Sequence, residues 1–171
     1  LLGLCFCENC LGGAERQGID ARGLKAEVAE DVSAYLESDL DYPEDMAEAF
    51  WRADLVEKKE LQRYLDFRCG VVTSLVAEIR EAVRTDATVA VIPSVARPTS
   101  GCWYEGSDLR ALAGTAGVIE ACFYEPSPAR VKADLFDIRR RIGGAGRLRG
   151  ILRPADPDLE TEEALRAAVE A

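Results

Sequence analysis

Three consecutive strand-then-helix segments in the second half of the sequence limit its fold more than any other feature. Short apolar runs cover 88–95, 118–125 and 147–153, the first of them rich in β-branched residues, and each ends at or close to a proline. Each run is followed by a polar loop and then by apolar residues at helical spacing. This repeat is typical of βα units that build a parallel sheet.

Capping residues and apolar spacing predict the helices. Asp20, Asp108, Ser127 and Thr161 are suited to cap four of them, and Pro128 fits the first position of the third. A long helix is predicted ahead of the first strand by apolar residues at every fourth position. We expect this stripe to face the sheet. Its members are Phe67, Val71, Leu75, Ile79 and Val83.

These elements predict one partial domain over residues 1–171. It comprises a strand end and cysteine cluster in 1–10, a helical excursion in 11–65, and a long helix with three βα units in 66–171. Because 171 residues are few for eight βα units, the expected fold is the C-terminal portion of a (β/α)8 TIM-type barrel that lacks its N-terminal part. An open, doubly wound parallel sheet is the alternative. The lack of a Gly-rich phosphate-binding turn after the strands favours the barrel.

Composition excludes several classes of function. The formal charge of −10 argues against a nucleic-acid partner. The absence of histidine excludes Ser-His-Asp and Cys-His nucleophiles within this sequence. No run approaches the ~18 apolar residues of a membrane span, so we expect a soluble, cytoplasmic protein without a membrane partner. No organic cofactor is indicated, and the oligomeric state is open.

Three cysteines lie within six residues, in the run Cys5-Phe6-Cys7-Glu8-Asn9-Cys10. A turn can bring their sulfur atoms to one centre, and thiolates at such spacing suit tetrahedral zinc. A structural zinc site has four ligands, and a fourth is not evident. Reduced thiols and a disulfide are the alternatives. The other cysteines, Cys69, Cys102 and Cys122, are predicted to be buried as small apolar residues.

The cysteine triplet also carries a family resemblance. With the helix, the acidic excursion containing Phe50-Trp51 and the long helix that follow it, the triplet resembles a region of the glycoside hydrolase family 42 β-galactosidases, over about residues 1–95. The resemblance implies a carbohydrate substrate and a structural zinc on Cys5, Cys7 and Cys10, with a fourth thiolate from earlier in the chain. The Asn-Glu pair that carries the acid/base in that family is not present, so this group either precedes Leu1 or does not exist.

Glycoside hydrolysis requires two carboxyl groups that face each other across the scissile bond. Glu125 lies at a predicted strand end, where a nucleophile or base is expected, and Tyr124 can orient it. Glu105 is the second candidate, in an aromatic loop whose Trp103 and Tyr104 can stack on sugar rings. A solvated glutamate and an aromatic plug are the structural alternatives.

Two arginines, Arg97 and Arg153, are expected to add polar contacts to a bound sugar, although a surface ion pair of Arg153 with Asp156 explains the second equally well. The leading hypothesis is therefore a glycoside-hydrolase-like enzyme with a structural zinc. The alternative is a non-catalytic carbohydrate-binding or scaffold barrel that lacks the acid/base pair. A third hypothesis makes the cysteine triplet a redox or metal-handling site unrelated to carbohydrate.

Overall fold

A computed structural model of the chain describes residues 4–94 and 96–170. Within these residues, seven α-helices and one 3-10 helix accompany a three-stranded parallel sheet. The chain divides into two compact units, residues 1–67 and 68–171, and the division falls inside the long helix α4 (Lys59–Ala82). The predicted strand end at 1–6 lies partly outside the described residues, and residues 4–6 form no strand.

The first unit is helical. It contains α1 (Glu8–Arg16), α2 (Ala21–Glu37), α3 (Glu44–Glu57) and the beginning of α4. Asp20 caps α2 as predicted, because its Oδ1 accepts a hydrogen bond of 2.9 Å from the backbone N–H of Gly23. The core of this unit is formed by side chains that are at most 2% exposed, among them Leu11, Leu24, Leu61, Tyr64 and Leu65. Helix α3 contributes no buried residue to it.

The second unit contains the sheet. Strands β1 (Val89–Val91), β2 (Gly117–Phe123) and β3 (Arg147–Leu152) are parallel and lie in the order β1-β2-β3. Ala90 pairs with Val118 across the first ladder, and Cys122 pairs with Ile151 across the second. The three strands confirm the three apolar runs of the sequence, although β1 has only three residues and ends before Pro93.

Helices connect the strands. A 3-10 helix (Thr99–Glu105) and α5 (Leu109–Ala116) follow β1, α6 (Pro128–Ile142) follows β2, and α7 (Glu162–Val169) follows β3. Asp108, Ser127 and Thr161 accept hydrogen bonds from the first turns of α5, α6 and α7, which confirms the predicted caps. The core between helices and sheet contains Leu112, Ile119, Phe123, Val131 and Ile138.

The predicted barrel portion is wrong. Among the described residues β1 and β3 each pair with β2 alone, on its two opposite sides, so the sheet is open. Closing a barrel requires its first and last strands to pair and needs more strands than three. The open wound parallel sheet, which was the alternative, fits the structure. Local periodicity cannot separate these folds, because each βα unit is the same in both.

The predicted orientation of the long apolar stripe on α4 is also wrong. Val71, Leu75 and Ile79 are 50%, 55% and 45% exposed. The neighbouring stripe packs instead, since Val76 belongs to the core of the second unit and Val72 packs against that core. The packed stripe is displaced by one residue from the predicted stripe. Both stripes follow the four-residue spacing of the same helix.

Glycine is required where β3 passes over the aromatic side chain at the end of β2. A Cβ atom at Gly150 would lie 2.8 Å from Cε2 and 2.9 Å from Cδ2 of the Phe123 ring, distances that real Cβ atoms do not adopt. The absence of a side chain at 150 thus lets the ring of Phe123, which is 3% exposed, pack closely against the neighbouring strand.

Candidate functional site

The cysteine triplet of the first unit is brought to one point. The Sγ atoms of Cys5, Cys7 and Cys10 all lie within 4.8 Å of one another, and those of Cys5 and Cys10 are 3.6 Å apart. Two zinc-bound thiolates with Zn–S bonds of about 2.3 Å lie about 3.8 Å apart in a tetrahedron. The observed sulfur separations are close to this value, so the group can hold a metal ion.

The local fold explains why the thiols meet. Cys7 is the N-cap residue of α1, with an extended backbone, so the helix begins directly after it and Cys10 lies in the first turn. Tyr64 fixes the segment before the helix: its hydroxyl donates to the carbonyl oxygen of Cys5, and its ring stacks on Phe6 with centroids 5.1 Å apart. The cluster therefore has a fully buried anchor at its base.

The three thiols differ in electrostatic environment. The backbone N–H of Cys10 and then the neighbouring thiols lower the pKa of Cys7. Burial, followed by the other two sulfur atoms, raises the pKa of Cys10 to about 12. Cys5 and Cys7 are exposed, whereas Cys10 is half-buried. Metal binding would therefore begin most easily at Cys7 and displace a proton from Cys10, since thiolates are the metal ligands.

The metal group is limited to these three side chains within residues 4–94 and 96–170, where no further Cys, Asp or Glu joins it. This leaves one position of a tetrahedral ion for a ligand from elsewhere or for water. The other cysteines, Cys69, Cys102 and Cys122, are buried as predicted. Burial raises the pKa of Cys102 to about 12, in keeping with a packing role.

In the second unit, the predicted catalytic Glu125 follows β2 but is only 2% exposed. Its Oε2 accepts a hydrogen bond of 2.6 Å from Nε of Arg130, in the first turn of α6. Glu105 lies at the end of the 3-10 helix, where it accepts a hydrogen bond from the hydroxyl of Ser94. The cavity that contains Glu125, about 330 Å³, is not lined by Glu105.

A different carboxylate lies near Glu125. Asp134, from α6, lines the same cavity and is 3% exposed. Its Oδ2 accepts a hydrogen bond of 2.6 Å from the hydroxyl of Thr99, and both carboxylate oxygens lie 3.1 Å from the backbone nitrogen of Thr99. Burial, together with the nearby Glu125 charge, raises the pKa of Asp134, although the Thr99 hydrogen bonds oppose the shift.

Arg97 and Arg153 both form ion pairs with one carboxylate, Asp158, which was not predicted. Asp158 is fully buried, with Oδ1 at 3.1 Å from Nη1 of Arg97 and Oδ2 at 2.7 Å from Nε of Arg153. The Arg153 guanidinium also lies over the ring of Tyr124, 5.3 Å from its centroid. The expected surface ion pair of Arg153 with Asp156 is therefore replaced by a pair with the buried Asp158.

The aromatic loop forms the 3-10 helix. Trp103 and Tyr104 contact each other edge to face, with centroids 5.7 Å apart, and Tyr104 is 38% exposed. The carbonyl oxygen of Tyr104 accepts a hydrogen bond of 3.1 Å from Arg68. Trp103 lines a separate cavity of about 300 Å³ together with Arg110, Arg140 and Arg141. Glu125 and Trp103 thus line different cavities, and neither of these two cavities is lined by Glu105 or Tyr104.

Sequence reasoning missed Asp134 and Asp158. Asp134 falls within a charged helix, and Asp158 follows a Pro-Ala-Asp-Pro stretch, so both resemble solvated residues. A weak signal was available for Asp134, since it lies between Val131 and Leu135 on the apolar face of its helix. A carboxylate on such a face is buried and needs hydrogen-bond donors.

The fold and the cluster define an α/β protein with an open parallel sheet and a three-thiol group able to hold a metal. No family model, no curated protein and no solved structure matches the chain. Within the described residues, no helix is both long and apolar enough to span a membrane.

Proposed function

We propose that this protein binds a zinc ion through Cys5, Cys7 and Cys10 and that the ion stabilises the first unit. The carrying observation is the approach of the three Sγ atoms to within 4.8 Å of one another. Soft thiolates favour zinc over hard cations such as Mg²⁺. The likeness of this triplet to that of the family 42 β-galactosidases supports the same ion.

The zinc would act as a structural clamp on the segment that leads into α1. Cys5 precedes the helix, Cys7 caps it and Cys10 lies in its first turn, so a bound ion would close a short loop over the helix N-terminus. Because the folded chain brings the three sulfur atoms together at the start of α1, the binding free energy would add to the folding free energy.

Metal analysis of the whole chain, purified under reducing conditions, tests this proposal. We expect about one zinc per chain, and cobalt substitution should produce thiolate-to-cobalt charge-transfer absorption. Cys7→Ser and Cys10→Ala should each lower the zinc content and the melting temperature. Cys122→Ala is the matched control, because it removes a buried cysteine away from the triplet and should keep the zinc. A metal-free chain whose exposed thiols react freely would contradict the proposal.

Hydrolysis of a carbohydrate is a second candidate, favoured by the carboxylates around the 330 Å³ cavity. Glu125 forms an ion pair with Arg130, while burial raises the pKa of Asp134. A glycosidase uses two carboxyl groups, one as nucleophile or base and one as general acid, and a raised pKa favours the general-acid role. We propose Asp134 as the partner of Glu125, in addition to the sequence candidate Glu105.

Aryl glycosides test the second candidate. Glu125→Gln and Asp134→Asn should each abolish turnover with little change in melting temperature. Glu105→Gln should keep turnover if Asp134, and not Glu105, is the partner of Glu125. Binding of an oligosaccharide without turnover would favour the non-catalytic alternative. The absence of both binding and turnover would exclude a carbohydrate function. This outcome would leave the zinc proposal unaffected.

A further inference from the structure

A cavity of about 450 Å³ in the first unit is lined mainly by aromatic and aliphatic side chains. It lies where the end of α2, the following loop and α3 come together. The volume is within the range of small-molecule sites. Its lining residues are Tyr35, Leu36, Leu40, Tyr42, Ala47, Phe50, Trp51 and Asp54.

The aromatic rings of the lining lie at steep angles to one another around the cavity. The Tyr42 ring lies at 82° to that of Tyr35, with centroids 5.4 Å apart, and at 82° to that of Phe50, with centroids 6.1 Å apart. The Tyr42 hydroxyl lies 2.8 Å from Oγ of Ser38, which holds its ring in place. Because the Tyr42 ring is nearly perpendicular to both neighbouring rings, the three rings together present π-faces and edges to the cavity. Trp51 contributes a fourth ring to the lining.

The charge around this cavity is negative. The segment 37–48, which supplies Leu40, Tyr42 and Ala47 to the lining, contains six acidic residues and no basic one. Asp54 is the charged member of the lining, and burial raises its pKa. Burial, and then the carboxylates of Asp54 and Asp31, also raise the pKa of Tyr35.

Among the described residues, Lys58 is the cation that contacts Asp54 of the lining, and it is already matched by carboxylates. Nζ of Lys58 lies 3.9 Å from Oδ1 of Asp54, but it is 3.3 Å from Glu27 and forms a shorter ion pair with Asp31. Three carboxylates therefore surround a single ammonium group, which leaves the local charge negative. A ligand with a positive charge would be attracted by this excess.

We propose that Tyr35, Tyr42, Phe50 and Trp51, together with Asp54, form a binding site for an organic cation of the quaternary or methylated ammonium class. Aromatic π-faces attract such a cation, and its methyl groups fill an apolar cavity that a strongly hydrated metal ion would not enter. A neutral apolar ligand would use the rings but gain nothing from Asp54 or the acidic segment. The shared chemistry covers both free choline-type compounds and a trimethylated lysine side chain.

Binding of tetramethylammonium and choline to the full-length chain tests this proposal. A Trp103→Phe background leaves Trp51 as the single tryptophan, so its fluorescence reports on the cavity. We expect saturable quenching by both cations. The neutral isostere of choline, 3,3-dimethylbutan-1-ol, should bind about tenfold more weakly, because it lacks the charge. A peptide with trimethylated lysine, compared with its unmodified form, shows which source of the cation is preferred.

Two variants locate the site by calorimetric titration. Trp51→Leu and Asp54→Asn should each weaken choline binding about tenfold without changing the circular dichroism spectrum. Phe136→Ala is the matched control, because it removes a ring that is 70% exposed in the second unit and should leave binding unchanged. Equal affinity for choline and its neutral isostere would overturn the proposal, as would the absence of saturable binding by either cation or full affinity in the Asp54→Asn variant.

Discussion

Replacing Asp134 with alanine would release the loop after β1 from α6. The carboxylate accepts hydrogen bonds from the backbone N–H and the hydroxyl of Thr99, a residue that is itself fully buried. Asp134→Ala would leave both Thr99 groups without a partner. Each unpaired buried group costs about 1–3 kcal/mol, so we expect the free energy of unfolding of the second unit to fall by about 4 kcal/mol.

Urea unfolding, followed by Trp103 fluorescence in a Trp51→Phe background, measures this loss. Trp103 is the suitable probe because it lies in the same 3-10 helix as Thr99. Asp134→Asn is the matched variant: its amide can accept from the Thr99 N–H and donate to the Thr99 hydroxyl, so we expect a loss of no more than about 1.5 kcal/mol. A loss below about 1 kcal/mol for Asp134→Ala would refute the reasoning, since no buried group would then be unpaired.

The stability difference between Asp134→Asn and the unmodified protein should depend on pH. Burial raises the folded-state pKa of Asp134 above its ordinary value of 3.8. The folded state therefore holds the proton more tightly than the unfolded chain, and the stability gained from the protonated form is lost as pH rises through the folded-state pKa. We expect the stability of Asp134→Asn relative to the unmodified protein to increase between pH 4 and pH 7. A flat difference over this range would contradict the raised pKa.

Three further predictions concern packing, capping and metal binding. Leu112→Ala should lower the free energy of unfolding by about 2–5 kcal/mol because Leu112 is fully buried. Phe136→Ala, at an exposed position, is the control and should change the free energy of unfolding by less than about 0.5 kcal/mol, as measured by urea titration of both variants. Asp20→Ala should cost about 1 kcal/mol through loss of the α2 cap, and an unchanged urea midpoint would contradict that role. The apparent zinc affinity should rise with pH, because zinc must displace the proton of Cys10, whose pKa is about 12; calorimetry in buffers of different ionisation enthalpy counts the released protons.

Local signals predicted the helices and strands well. Asp20, Asp108, Ser127 and Thr161 each cap the helix that was expected, because a cap depends on residues within three positions along the chain. The three βα units were predicted for the same reason, since apolar runs and capping residues alternate regularly. The cysteine triplet was also visible in the sequence, because its three sulfur atoms are close in the chain as well as in space.

Features that depend on distant residues could not be predicted in the same way. Whether three parallel strands close or remain open depends on which strands pair, and the apolar runs do not encode that pairing. Val71 belongs to the longer apolar stripe of α4, whereas the stripe through Val72 also contains Arg68 and Arg80. Only the position of the core shows that Val72 packs and Val71 does not. The hydrogen bonds between Asp134 and Thr99 join residues 35 positions apart.

The contact between Gly150 and Phe123 has a consequence for how this sequence can diverge. A side chain at 150 would overlap the Phe123 ring, so the two positions are coupled across neighbouring strands. Descendants of this sequence that acquire alanine or a larger residue at 150 should also carry a smaller residue than phenylalanine at 123. The pair should therefore vary together, with glycine retained wherever the aromatic ring is retained.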